Sequence, residues 1–545
     1  MNLIKNNKFI ILSILCIIIF CIGVTPITLQ NDTFYSIKIG EYVLQNGITM
    51  QDPFSWHEGL PYEYPHWGYD VMMYLIYNLG GWNGIYISTI IFSCILGLSI
   101  YVVNKKLTKN NVTSFIITIM AMYMLRGYIA ARAQLVTFIL FILTIYFIEK
   151  FLETGKKRYA VPLILIPLII ANIHVAVWPF YFILYLPYIG EYVIHNLFNI
   201  DNLFYKIKMN KLRKKMDKAS EDEKKNIQDM ISKMQERKNA REEKNNKIQA
   251  NPYKIKVDIS KNIKWLILIM IMCIFTGLIT PTGTTPYTYL YDTMRGNTPQ
   301  NINEHLPLTL MQHKDFLLTI VLFLSVITFI DVKIKLRDLL MLSGLLFLAF
   351  QSNRQISMFV LICSLILNRL ICQIIDKYDN GRCKKLEKIC MQFPIYILII
   401  CVTVFTSASL LKSNAERPIV DDVTYPVYAA DFILNNLDVQ NIRIYNEYNY
   451  GSYLLFRGIP VFIDSRADLY APEFNGGRDI FSDFLNISSL EEDYKEKFDE
   501  YGITHAIMYQ SSKLSLLLKE DEDYKVIYDK DFIIYERVKG EANEY

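Results

Sequence analysis

Cysteine is scarce and poorly placed for cross-linking: nine occur in 545 residues, and none lies within 31–70 or 412–545. That excludes a disulfide framework, and no Cys spacing is of the metal-binding kind. There is no His-x-x-x-His pair, and the C-terminal stretch carries no glycine-rich phosphate loop or nucleophile motif. No internal repeat is visible, which counts against a transporter built from duplicated halves. Where the chain is densely charged, basic and acidic residues alternate with few aromatics between them, so nucleic acid is not a partner. The net charge of +4 points to no particular ligand.

What the chain has is apolar length. It is 52% hydrophobic, with mean hydropathy +0.21. Uncharged runs near 9–29, 85–103, 112–126, 134–150, 160–173, 176–196, 264–281, 315–331, 338–351, 355–375 and 393–411 predict about eleven bilayer-crossing helices, each needing roughly 17–25 residues. The third, fifth and ninth are short. The first run follows Lys5 and Lys8, but it is longer than a signal-peptide core and no small-x-small cleavage site follows it, so it reads as a retained helix.

Lysine and arginine then set the orientation. Lys105, Lys106 and Lys109, Lys150 to Arg158, Lys333 to Arg337 and Lys377 to Lys388 fall on one side, with Lys5 and Lys8; the alternate loops hold few. By the positive-inside rule the rich side is cytoplasmic. The expected class is therefore a polytopic α-helical membrane protein in the cell membrane, with a cytoplasmic N-terminus. Residues 1–411 are its multi-span part, including a first outer loop at 31–70 with short interfacial helices. A charged cytoplasmic helical insertion occupies 201–261, stabilised by i,i+4 pairs. Residues 412–545 read as an extracytoplasmic α/β domain. Helices are expected at 428–437 and 489–502, strands at 442–446, 461–464 and 505–509, and a hairpin at 524–537.

Six of the seven histidines fall on the outer side, as do Arg126, Arg132 and Arg354 at helix ends. Ionisable groups beside hydrocarbon are costly and usually face a cavity or a functional path. The first outer loop is the richest stretch. Asp32 follows the first span, 33–45 suits an amphipathic helix, Asp52-Pro53 marks a turn, and 66–78 suits a second interfacial helix carrying Trp67, Tyr69 and Tyr74.

This ordered pattern resembles the GT-C superfamily of membrane glycosyltransferases, which includes protein mannosyltransferases, aminoarabinose transferases and oligosaccharyltransferases. It is most similar to an uncharacterised bacterial branch. The matching features are Asp32-x-Phe34, Asp52-Pro53-Phe54-Ser55, His66-Trp67, Arg132-Ala133-Gln134, Asn172-Ile173-His174, Pro281-x-Gly283, Asn303-Glu304-His305 and Arg354. In the C-terminal part they are Asn446, Tyr450-Gly451-Ser452-Tyr453-Leu454 and Phe462-Ile463-Asp464-Ser465-Arg466. The chain departs from the branch with Ala133 for proline and His305 for tryptophan. Asn31 and Thr33 flank Asp32, where well-studied transferases carry a second acid.

The resemblance implies transfer of a sugar, with inversion, from a polyprenyl-phosphate donor to a lipid, glycan or protein acceptor at the outer membrane face. Such chemistry needs a carboxylate to take the acceptor's proton and cations to meet the departing phosphate. Asp32 is the candidate base, against a helix-capping role. Asp52, His57, His66, Glu304 and His305 are candidates for a second acid or a shared metal, against turn and structural roles. Arg126, Arg132 and Arg354 are the phosphate candidates, against snorkelling to the interface. Asn172, His174, Asp464 and Arg466 are acceptor-binding or structural. No cofactor is fixed, a divalent metal ion being the candidate; membrane lipids are the remaining partners. The rival readings are a flippase for a lipid-linked substrate and a non-catalytic membrane scaffold.

Overall fold

The computed structural model describes residues 8–198, 209–216, 221–250, 255–309, 313–379 and 381–538. Lys5 and parts of the expected insertion, 201–208, 217–220 and 251–254, lie outside these.

The apolar runs fold as helices because a backbone surrounded by apolar side chains must satisfy its own hydrogen bonds. They are α1 (Lys8–Val24), α3 (Trp67–Thr108), α4 (Asn111–Leu125), α5 (Ala133–Thr154), α6 (Lys157–Ile173), α7 (Trp178–Ile183) with α8 (Leu186–Phe198), α10 (Ile263–Ile274), α12 (Lys314–Phe329), α13 (Leu336–Gln351), α14 (Ile356–Tyr378) and α15 (Phe393–Asn414). Between them stand α2 (Asn31–Asn46), the charged α9 (Glu221–Ala250) and α11 (Thr285–Arg295). Every expected apolar run thus falls on a helix. Among the described residues five helical stretches, Trp67–Thr108, Ala133–Thr154, Val175–Leu197, Asn353–Tyr378 and Phe393–Asn414, are long and apolar enough to cross a membrane.

Three expectations change, the third in the C-terminal region below. The separate helix at 66–78 and the span at 85–103 are one element, α3, kinked where Gly81 takes φ 56°, ψ −148°, a conformation open to glycine. The strand expected at 461–464 makes only a single bridge, Ser55 to Val461, so that stretch serves as a seam to the first loop.

The bundle encloses one hydrophobic core, built from residues such as Ile142, Leu163, Leu266 and Leu361. A second core joins the first loop to the C-terminal region: Phe34, Ile37, Leu60 and Tyr64 pack with Tyr425, Tyr445, Leu454 and Ile463. Phe34 sets its ring edge-to-face on Tyr425 at 4.8 Å and on Tyr453 at 5.1 Å. Trp56 Nε1 donates to the Ile444 carbonyl at 3.0 Å.

In the C-terminal region β3 (Ile444–Tyr445), β4 (His505–Met508), β5 (Tyr524–Asp529) and β6 (Ile533–Arg537) form a sheet in the order β3-β4-β6-β5. The β3–β4 pair is parallel and the rest is antiparallel. Helix α16 (Tyr448–Phe456) follows β3. The helix expected at 489–502 is shorter, Tyr494–Tyr501, N-capped by Asp493; before it stands an unexpected helix, Ile480–Ser489, which ends where Leu490 takes a left-handed conformation. At the other end of the bundle, β1 (Ile255–Lys256) and β2 (Ile334–Lys335) form a short parallel pair.

Candidate functional site

Helix α2 carries Asp32 in its first turn, where the positive end of the helix dipole favours a carboxylate. Three contacts place that turn. Asn31 Nδ2 donates to the Tyr448 carbonyl at 2.9 Å, the Thr33 hydroxyl donates to the Ala131 carbonyl at 3.3 Å, and Gly40 lets α2 lie against the Asp70 carbonyl of α3.

Arg132, extended at the N-cap of α5, meets this carboxylate. Its Nε is 3.1 Å from Asp32 Oδ2, an ion pair without an aligned N–H hydrogen bond. Its Nη1 donates to both Glu304 oxygens, at 3.0 and 3.3 Å. The Glu304 carbonyl in turn accepts the Arg354 backbone N–H and the Ser352 hydroxyl, at 3.0 and 3.1 Å. The turn between α13 and α14 is thereby pinned to the Glu304 loop. Arg132 and Arg354 hold the Glu304 carboxylate below its ordinary range, against the opposing effect of burial.

Two cavities meet at this chain of charges, both lined by Arg132, Glu304 and Arg354. The first, about 770 Å³, adds Arg126 and Lys314 beside apolar Met124, Phe316 and Ile356. Arg126 lays its guanidinium over the Tyr123 ring at 3.9 Å. Arg354 has no ion-pair partner among the described residues. The second, about 1050 Å³, contains Asp32, Glu63, His66, His174 and His305, and is roofed by C-terminal aromatics including Phe474 and Phe481.

Of the residues expected at a site, Asp32, His66, Arg126, Arg132, His174, Glu304, His305, Arg354 and Arg466 line one cavity or both. His66 and His174 approach with ring centroids 5.0 Å apart. His174 Nδ1 is 2.9 Å from the Thr137 hydroxyl. Burial, with Arg354 and Arg132 nearby, lowers His66 to about 3, so it is a neutral imidazole. Burial and Arg354 also lower His305.

The others stand elsewhere. Asp52 sits with its side chain fully buried, 2.6 Å from Arg466 Nη1, and its Oδ2 accepts the Ser55 N–H at 2.9 Å. Asp464 takes Arg466 Nη2 at 2.7 Å and the Tyr470 hydroxyl at 2.6 Å. His57 bonds the Phe462 carbonyl at 2.9 Å, and burial lowers it to about 4. Asn172 Nδ2 bridges the Leu168 and Ile279 carbonyls. These four lie outside both cavities and tie segments together.

Glu63 and Tyr289 in the larger cavity were not singled out from sequence as site residues, and Asp468 lies beside them. Desolvation, reinforced by Asp292, raises Glu63 to about 7, although Thr285 acts the other way. Its Oε2 is buried with no hydrogen-bond partner. Asp468 is fully engaged, accepting from Tyr289, Thr293 and Thr298 at 2.8, 3.2 and 3.0 Å. No local motif marks Glu63. Its role emerges only when α11 and the C-terminal region close over it.

A divalent ion does not fit these residues. Among the described residues no three His, Cys, Asp or Glu side chains are grouped to hold one, and Asp32 and Glu304 are both drawn to Arg132. No chemical step below is routed through a metal.

No protein-family model matches the sequence, nor does any curated protein. Among solved structures the chain is similar to the archaeal oligosaccharyltransferase AglB from Archaeoglobus fulgidus, solved in complex with an inhibitory peptide and a dolichol-phosphate. The identity is 9% and the TM-score 0.48, over 98% of this chain and 75% of that one.

Proposed function

We propose that this chain is a membrane glycosyltransferase of the GT-C kind, moving a sugar from a polyprenyl-phosphate donor to a hydroxyl of a lipid, glycan or protein acceptor. The supporting observation is the convergence of Asp32, Arg132, Glu304 and Arg354 at the boundary of two cavities. In this reading the cavity-bearing end of the bundle faces the outside of the cell, with residues 412–545 as an extracytoplasmic domain above it.

The smaller cavity suits the donor. Its cations, Arg126, Arg354 and Lys314, can meet a phosphate, while Met124, Phe316 and Ile356 offer an apolar wall to the first isoprene units. The larger cavity, aromatic and acidic, suits the acceptor. The acceptor heteroatom attacks the anomeric carbon as the bond from that carbon to the phosphate oxygen breaks. Asp32 takes the acceptor's proton, and the bond's electron pair leaves on the phosphate. Arg354, which makes no ion-pair contact among the described residues although Glu304 lies near it, is the group placed to bind that developing charge. Arg132 holds Asp32 and Glu304 at a fixed spacing through this step.

The test is sugar transfer by purified protein, given polyprenyl-phosphate sugars and membrane extract. Wild type should transfer, and Asp32→Asn should lose roughly 10²–10⁴-fold in rate. Undiminished transfer by Asp32→Asn overturns the base assignment. Absence of transfer with every donor overturns the enzyme reading and returns the chain to the flippase or scaffold alternatives.

A further inference from the structure

At the end of the bundle remote from both cavities, a groove of about 540 Å³ opens between α3, α5 and the start of α6. Leu143 and Phe147 of α5 form its apolar side. Its rim carries two cations and no acid. Lys106 holds its ammonium 5.1 Å from the centre of the Tyr146 ring. Arg158 lies 4.8 Å from the centre of the Tyr159 ring and donates to its hydroxyl at 2.9 Å. The two rings meet edge-to-face at 6.3 Å, so both cations flank one aromatic pair.

Neither Lys106 nor Arg158 has a carboxylate partner among the described residues. Both side chains are exposed, and each rests its charge against a ring at the mouth of an apolar slot, where no acid meets it. Cation–π contact orients such groups but leaves the charge uncompensated. An amphiphile with a negative head and a hydrocarbon tail satisfies both halves of the groove, which is the chemistry of basic pockets between membrane helices.

We propose that this groove seats one phospholipid of net negative headgroup, its phosphate between Lys106 and Arg158 and an acyl chain along Leu143 and Phe147. The site is separate from the transfer reaction and does not depend on it.

Native mass spectrometry of the full-length protein, released from bilayers of equal phosphatidylglycerol and phosphatidylcholine, provides the test. Wild type should retain phosphatidylglycerol over phosphatidylcholine by roughly thirtyfold, the scale expected of two cations at a membrane surface. Lys106→Gln with Arg158→Gln should abolish that preference. So should Val102→Trp, which fills the groove from a position 39% exposed and leaves both charges in place. The exchange Lys106→Arg with Arg158→Lys should keep it. Lys384→Gln with Lys385→Gln is the matched control: it removes two charges from the short helix Arg382–Cys390, at the same end of the bundle, where Glu387 accepts from Asn111 of α4. Equal retention of both lipids by wild type overturns the proposal. So does a preference that survives both the glutamine pair and Val102→Trp, or one lost as fully in the control pair.

Discussion

Arg132 Nε stands 3.1 Å from Asp32 Oδ2 while the same guanidinium holds Glu304. One side chain therefore spans two carboxylates that are far apart in sequence. Both pairs are partly exposed, Glu304 being 49% accessible, so their worth to stability is about 1 kcal/mol or less each. Their worth to geometry is larger, because lysine cannot reach two acids with a planar fork. Arg132→Lys should cost under about 2 kcal/mol in thermal unfolding yet lower sugar transfer more than tenfold. Parallel losses, with transfer falling only as far as folding does, would reduce Arg132 to a structural tie.

Glu63 gives the larger cavity a pH dependence. Its carboxyl titrates at about 7 in the fold, against 4.5 ordinarily, because it is desolvated near Asp292. Between those values the unfolded chain has released the proton and the folded chain still holds it. The folded state binds more protons there, so stability falls as pH rises through the window and stays lower above pH 7. Glu63→Gln, which cannot ionise, should match wild type in melting temperature at pH 4 and exceed it at pH 8. A constant difference across that range would mean that Glu63 does not titrate as placed.

How much of this was legible in the sequence depended on the range of the interaction. Apolar runs were read as helices because each depends only on its own length and composition. The helices at 66–78 and 85–103 were read as separate, because the kink at Gly81 that joins them into α3 is set by backbone conformation and not by apolar length. Asp32 and Arg132 were brought forward by the family resemblance, and they do meet. Asp52 shows the opposite case. Its sequence neighbours suggest a turn or a second acid, while its partner Arg466 lies 414 residues away. Glu63 acquires its raised carboxyl first from burial and then from Asp292 and Asp468, neither of them local to it.

The Asp52–Arg466–Asp464 group makes that long-range closure measurable. All three side chains are 3% exposed or less, and Arg466 also lies over the Tyr62 ring at 4.9 Å. Arg466→Met strands two buried carboxylates and should cost about 3–5 kcal/mol. Because the seam joins the first loop to the C-terminal region, limited proteolysis should now cut within 50–61 before it cuts within α16. Unchanged protection of that loop would show that the aromatic contacts around Phe34 hold the seam alone.

The position of Asp32 should also depend on a glycine two turns along the same helix. A Cβ at Gly40 would lie 2.0 Å from the Asp70 carbonyl oxygen and 2.8 Å from Tyr74 Cβ. Neither is the end of a flexible side chain, so α2 and α3 must separate. Overpacking of this kind costs about 1–3 kcal/mol, offset in part by alanine's helix preference of roughly 1 kcal/mol over glycine. Gly344, in α13, has nothing within 4 Å of its added Cβ, so Gly344→Ala should be neutral or mildly stabilising. Gly40→Ala should therefore lower both the melting temperature and the transfer rate, with the rate falling further because the displaced helix carries the carboxylate. If Gly40→Ala and Gly344→Ala gave the same rates, the contact between α2 and α3 would not be what sets the carboxylate's position, and the Asn31 and Thr33 hydrogen bonds would have to do so alone.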